Sequence, residues 1–90
     1  MKNFHLIIAT PKGMAFDGEA HQISLRGECG SLSVMANHIP FVTNVKAGEC
    51  RIYTESGIET CKTETGLLSV TDKCVRLVTT DFTRGESEEK

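Results

Sequence analysis

Gly27-Glu28-Cys29-Gly30-Ser31-Leu32-Ser33-Val34-Met35-Ala36-Asn37-His38-Ile39-Pro40-Phe41-Val42-Thr43-Asn44-Val45-Lys46-Ala47-Gly48-Glu49 gathers most of the unusual residue choices of this 90-residue chain. Two glycines flank the polar pair Glu28-Cys29. A short apolar strand follows, then the loop Asn37-His38-Ile39-Pro40, then a second apolar strand closed by Lys46-Ala47-Gly48. Pro40 constrains Ile39 to an extended conformation and offers no backbone donor. The loop is therefore stiff, and it carries His38 between apolar neighbours. Such a loop reads as a contact surface, or as a place where Ile39 and Phe41 merely cap a core; the residues alone leave both readings open.

The same period-two alternation runs outward in both directions, and no window keeps helical spacing. Phe4 to Ala9 alternates with Phe4, Leu6 and Ile8 on one face. Thr10-Pro11-Lys12-Gly13 is a turn, Met14-Ala15-Phe16 a short return strand, and Asp17-Gly18 a second turn. Glu19 to Arg26 alternates again, with His21, Ile23 and Leu25 on one side. On the other flank, Glu49 to Glu55 places Cys50, Ile52 and Thr54 together, and Ser56-Gly57 suits a tight hairpin. Ile58 to Glu64, Gly66 to Val70 and Cys74 to Thr80 complete the pattern, with Val75 and Leu77 inward. Short strands separated by frequent turns predict an all-β fold, an antiparallel sandwich or barrel of about eight to ten strands. Residues 1–83 form the expected domain. Residues 84–90 contain no apolar side chain and are expected to be a frayed polar tail or an abandoned helix start.

Bulk properties narrow the function classes. A formal net charge of −2 with scattered Lys and Arg lacks the basic stripe of a nucleic-acid binder. No apolar segment approaches the roughly 18 residues of a membrane span. The first residues lack a signal peptide's apolar stretch, so the sequence predicts a soluble cytoplasmic protein. The four cysteines, Cys29, Cys50, Cys61 and Cys74, contain no Cys-x-x-Cys pair. In that compartment reduced structural thiols are favoured over disulfides or a metal site.

Candidate chemistry is sparse. His5 and His21 fall within strands, where an imidazole is more often packed or solvated than catalytic. A Cys29–His38 dyad would need a depressed thiol pKa, but Cys29 follows the acidic Glu28. Gly27-x-x-Gly30-Ser31 lacks the Lys and the following helix of a phosphate cradle. The Cys and His residues are isolated, whereas structural zinc sites bring ligands in close pairs. No cofactor, metal or catalytic residue is expected. The competing possibility is a stand-alone sandwich that binds a metal or small ligand through its Cys and His residues.

The pattern Gly27-x-x-Gly30-x-Leu32-x-Val34-x-x-x-His38-x-Pro40-Phe41-Val42-Thr43-x-Val45-Lys46-x-Gly48 resembles the N-terminal domain of the epsilon subunits of F-type ATP synthases. Phe4-His5-Leu6 with Pro11-x-Gly13 and Phe16-x-Gly18 is similar to the family's opening, as are Gly66-Leu67-Leu68-x-Val70 and Lys73-x-Val75-x-Leu77. The resemblance implies a flattened, ten-stranded sandwich that performs no bond chemistry. It would bind the gamma subunit, rest on the membrane c-ring at the cytoplasmic face of the inner membrane, and rotate with both. By matching position, the contact residues would be Glu28, Ser31, His38, Pro40, Phe41 and Thr43. The chain departs from the family pattern at Ser33, at Ala36-Asn37 and at Ser31, where an acidic residue is usual and Glu28 is the available substitute. The ATP-binding helical hairpin of many family members has no counterpart before Lys90, so the resemblance implies either a naturally short subunit or a truncated one, and in both cases a chain that binds no ATP.

Overall fold

The computed structural model describes residues 3–28, 30–36 and 39–87. Ten strands account for nearly all of them: β1 (Phe4–Thr10), β2 (Gly13–Ala20), β3 (Gln22–Gly27), β4 (Gly30–Met35), β5 (Phe41–Val45), β6 (Gly48–Thr54), β7 (Gly57–Thr63), β8 (Gly66–Val70), β9 (Cys74–Thr79) and β10 (Phe82–Ser87). Hydrogen bonding orders them β10-β7-β6-β3-β5-β8-β9-β1-β2, with β4 beside β3. Only Gly27↔Val45 joins β3 to β5, so the path folds there into two layers, β4-β3-β6-β7-β10 and β5-β8-β9-β1-β2. The all-β sandwich predicted from alternation is thus present. It is less flattened than expected, with Cα extents of 29 × 27 × 26 Å, and one ladder, β1 with β9, is parallel.

The alternation translates directly into burial. Leu6, Ile8, Ile23, Ile52, Leu68, Val75 and Leu77 are fully buried between the layers. Burying each such aliphatic side chain contributes about 1.5–3 kcal/mol. Without Trp, these branched residues and the partly buried Phe16, Phe41 and Phe82 fill the core. Two buried hydroxyls fix one corner. Thr79 Oγ1 lies 3.0 Å from the carbonyls of Glu64 and Thr65, 3.1 Å from that of Asp81 and 3.2 Å from Thr63 Oγ1. That cluster ties the β7–β8 crossing to the β9–β10 crossing.

Threonines open three of the turns. Thr10 Oγ1 accepts from Lys12 N and donates to the Gly13 carbonyl; Thr54 repeats this with Ser56 and Gly57. Thr71 Oγ1 accepts from Lys73 N and Cys74 N. A hydroxyl that satisfies a backbone amide two residues on is a local alternative to a strand ladder and stops the strand there. Gly57 has φ +130°, a conformation that glycine reaches without a Cβ penalty.

Three boundaries differ from the sequence reading. Asp17-Gly18 is no turn: β2 runs through both, because β1 pairs along its length, with Ile7 opposite Asp17 and Leu6 opposite Gly18. The strand expected over Glu19 to Arg26 instead breaks at His21, whose N–H donates to the Tyr53 carbonyl (2.9 Å) as the chain changes layers. The expected tail also starts too early. β10 continues to Ser87 beside β7, since a sheet edge supplies backbone partners that a polar sequence lacks on its own. Arg84 Nε and Nη2 bind the Glu59 carboxylate at 2.5 and 2.8 Å, and the guanidinium lies 5.1 Å from the Phe16 ring centroid.

Candidate docking surface

The two outer faces of the sandwich differ in character. On the β4-β3-β6-β7 side, outward positions are mostly polar, apart from Met35 and Ile58 at 54% and 38% exposure: Ser24 and Ser33 share a 2.9 Å hydroxyl contact, and Arg51 Nε binds Glu49 at 3.2 Å. That carboxylate stabilises the charged form of Arg51 and raises its pKa. On the β5-β8-β9-β1-β2 side, register aligns Asn44, Leu67, Val78, Ala9 and Met14 in one row across all five strands. Leu67, Val78 and Met14 are 45%, 49% and 59% exposed, and Val42, in the next row, 62%. A shallow groove bordered by Pro11, Leu67, Val78 and Thr80 runs along this row. Scattered exposed apolar residues are ordinary, but a contiguous row marks an interaction surface.

The residues singled out by sequence fall in different places. Glu28 is exposed and borders a small groove with Asn44, Lys46 and Thr65. Ser31 is also exposed but lies on the polar face, opposite Arg26, in a separate groove with Arg51 and Glu49. Pro40 is exposed at the entry to β5 beside Ile39, which is 80% exposed. Phe41 turns inward and packs against the core, and Thr43 shares its phase. Cys29, Asn37 and His38 lie outside the described residues. On β5 it is Val42 and Asn44 that point outward.

Val42, Leu67, Val78 and Met14 were not anticipated as surface residues. The signal was available in β9: with Val75 and Leu77 inward, alternation sends Val78 outward, where an apolar residue needs another reason to be present. Among the described residues, no group of three or more His, Cys, Asp or Glu is placed to hold a metal ion. The described residues form no helix long and apolar enough to cross a membrane.

Comparison with known proteins converges on one family. The family profile described as ATP synthase, delta/epsilon chain, beta-sandwich domain matches residues 3–85. The ATP synthase epsilon chain of Polaromonas naphthalenivorans is 31% identical over 87 residues, covering 96% of this chain and 63% of the relative. The epsilon chain of Bacillus velezensis is 30% identical over 90 residues, covering 100% and 68% respectively. The chain therefore spans about two thirds or less of the length of these curated relatives. The same fold occurs in a cryo-EM structure of the Euglena gracilis mitochondrial ATP synthase OSCP/F1/c-ring, with TM-score 0.84 and 19% identity over 91% of this chain and 53% of the other. It occurs also in the Tetrahymena thermophila central stalk and c-ring, with TM-score 0.77 and 13% identity over 90% and 66%.

Proposed function

This chain belongs to the beta-sandwich domain family of ATP synthase delta and epsilon chains, and from that membership we propose that it is the sandwich of a non-catalytic central-stalk subunit. In this reading it links the gamma subunit to the membrane c-ring, turns with them at the cytoplasmic face of the inner membrane, and couples ion flow to ATP synthesis. The observation that carries the reading is the outward apolar row Leu67–Val78–Ala9–Met14, extended by Val42, on a densely paired sandwich. A rotor part must pass torque through packed contacts without opening locally, and a closed core of aliphatic side chains resists such opening.

The apolar row takes the gamma subunit, burying side chains that are about half exposed in the free chain. Glu28 and Ser31 contribute polar contacts to the ring, and Pro40 with its loop neighbour His38 a separate loop contact; Thr43, in phase with Phe41, supports β5 from its inner side. Phe41 supports them from inside by holding β5 against the core, so that Val42 stays outward. Co-purification of the tagged chain with gamma and c-ring proteins tests the reading: a stoichiometric complex is expected. Failure of the folded wild-type chain to retain either partner would overturn it.

A further inference from the structure

Cys50 on β6 and Cys61 on β7 are directly opposite in an antiparallel ladder. Both are free thiols, and they are 0% and 2% exposed. Opposed Cβ atoms in such a ladder lie about 4.5–5.5 Å apart, against about 3.5–4.5 Å in a disulfide. A movement of about one ångström therefore brings the pair into bonding geometry.

The two thiols are not equivalent. Burial, then the neighbouring Cys61 and Glu59, push the Cys50 thiol up to about 12. Burial also raises Cys61; a backbone hydrogen bond from Gly85 works against that rise, the Glu59 carboxylate adds to it and the Arg84 cation opposes it, and the net shift is upward. Cys61 sits beneath β10, where Arg84 is its opposite residue. β10 is the outermost strand of its layer, and its register with β7 is interrupted between Arg84 and Ser87. The grip of Arg84 on Glu59 and on the Phe16 ring holds this strand down. Edge strands with interrupted pairing open at lower free energy than the core does.

We propose that Cys61 and Cys50 form a dithiol modification site for low-molecular-weight disulfides, with β10 as its cover. When β10 lifts, the Cys61 thiolate attacks one sulfur of glutathione disulfide. A Cys61–glutathione bond forms, the glutathione S–S bond breaks, and one glutathione leaves as thiolate. Cys50 then gives up its proton and attacks the Cys61 sulfur, forming the Cys50–Cys61 bond and releasing the second glutathione. The protein loses two hydrogens and two electrons, and both appear in the two glutathione thiols. Cys61 is the first nucleophile because it lies on β7, the strand that β10 flanks, whereas Cys50 lies one strand further in on β6, and the thiol that solvent reaches first attacks first. The product staples β6 to β7 beneath the cover.

The test is to hold the reduced full-length chain with glutathione disulfide at mildly alkaline pH, block remaining thiols under denaturing conditions, and map the peptides by mass. The expected product links Cys50 to Cys61, while the half-buried Cys74 is free or carries glutathione and is linked to no other cysteine. Cys50→Ser accumulates glutathione on Cys61, whereas Cys61→Ser leaves Cys50 largely unmodified. Glu59→Gln, which loosens the cover, speeds the reaction several-fold. A disulfide to any other cysteine, first modification at Cys50, or complete blocking of both thiols after prolonged incubation would overturn the proposal. An unchanged or slower Glu59→Gln rate would overturn the role of β10. The wild-type peptide map requires no variant to fold, so it decides the site on its own.

Discussion

Truncating Leu67 and Val78 together to alanine removes the centre of the outward apolar row while leaving the core untouched. Full burial of a Leu or Val side chain contributes about 1.5–3 kcal/mol. An interface can gain only from the part still open, 45% for Leu67 and 49% for Val78. Each side chain then offers about 1 kcal/mol, and because alanine keeps its Cβ, the double substitution should cost about 1.5 kcal/mol. That is about a tenfold weakening of Kd. The two are cross-strand neighbours, so the double variant rather than the sum of the single ones is the quantity to measure. Biolayer interferometry against an immobilised gamma–c-ring complex reads the Kd. Urea unfolding follows stability separately, because the half of each side chain already buried in the fold makes the double truncation cost about 1–2 kcal/mol of stability as well. An unchanged Kd for the folded variant would refute this face as the docking surface.

Phe41→Ala should act on stability before assembly: its half-buried ring packs on the core, so a loss of about 2 kcal/mol in urea unfolding is expected, below the roughly 3–5 kcal/mol for a fully buried Phe. Gly85→Ala would set a Cβ against the Thr60 carbonyl and push β10 from β7, visible as faster amide exchange at Thr60 to Lys62 with little change in β1 and β9. Alkaline pH should weaken the fold through Cys50. Its thiol keeps its proton to about 12 when folded, against an ordinary value of 9.0, so the contribution is complete below pH 9.0 and is lost as pH rises towards 12. The slope reaches about 1.4 kcal/mol per pH unit between these values. The difference in urea stability between wild type and Cys50→Ala, followed across this range, isolates it; a difference independent of pH would count against it.

Much of the fold was legible because inward positions obey a period that local sequence displays. Phe4-Leu6-Ile8, Cys50-Ile52 and Val75-Leu77 alternate without interruption, and all of these residues are buried. Gly66–Val70 matches its strand end to end. Illegible were the features decided by partners distant in sequence. Asp17-Gly18 has turn chemistry, yet β1 keeps it extended. Residues 84–87 are polar, yet the edge of β7 and the carboxylate of Glu59 hold them in a strand. The candidate docking surface was hardest to read, because the unusual residue choices cluster around Pro40 instead. The apolar row assembles from single side chains on separate strands, and register, not sequence proximity, brings Leu67 beside Val78 and Ala9. Phe41 shows the converse: an aromatic beside a stiff loop suggested a contact residue, but the phase of β5 turns it inward.

The parallel ladder between β1 and β9 also sets a timetable for the chain's birth. His5 pairs with Cys74 and Ala9 with Val78, so the first of the ten strands to be made waits for the ninth before its layer can close. Until then β1 and β2 are a lone hairpin, and such hairpins are at best marginally stable in water. Contacts so remote in sequence slow folding, because loop closure precedes any compensating burial. The nascent chain therefore carries Phe4, Leu6 and Ile8 without their β9 partners while β2 to β8 are made, an interval in which exposed apolar strands invite chaperone contact.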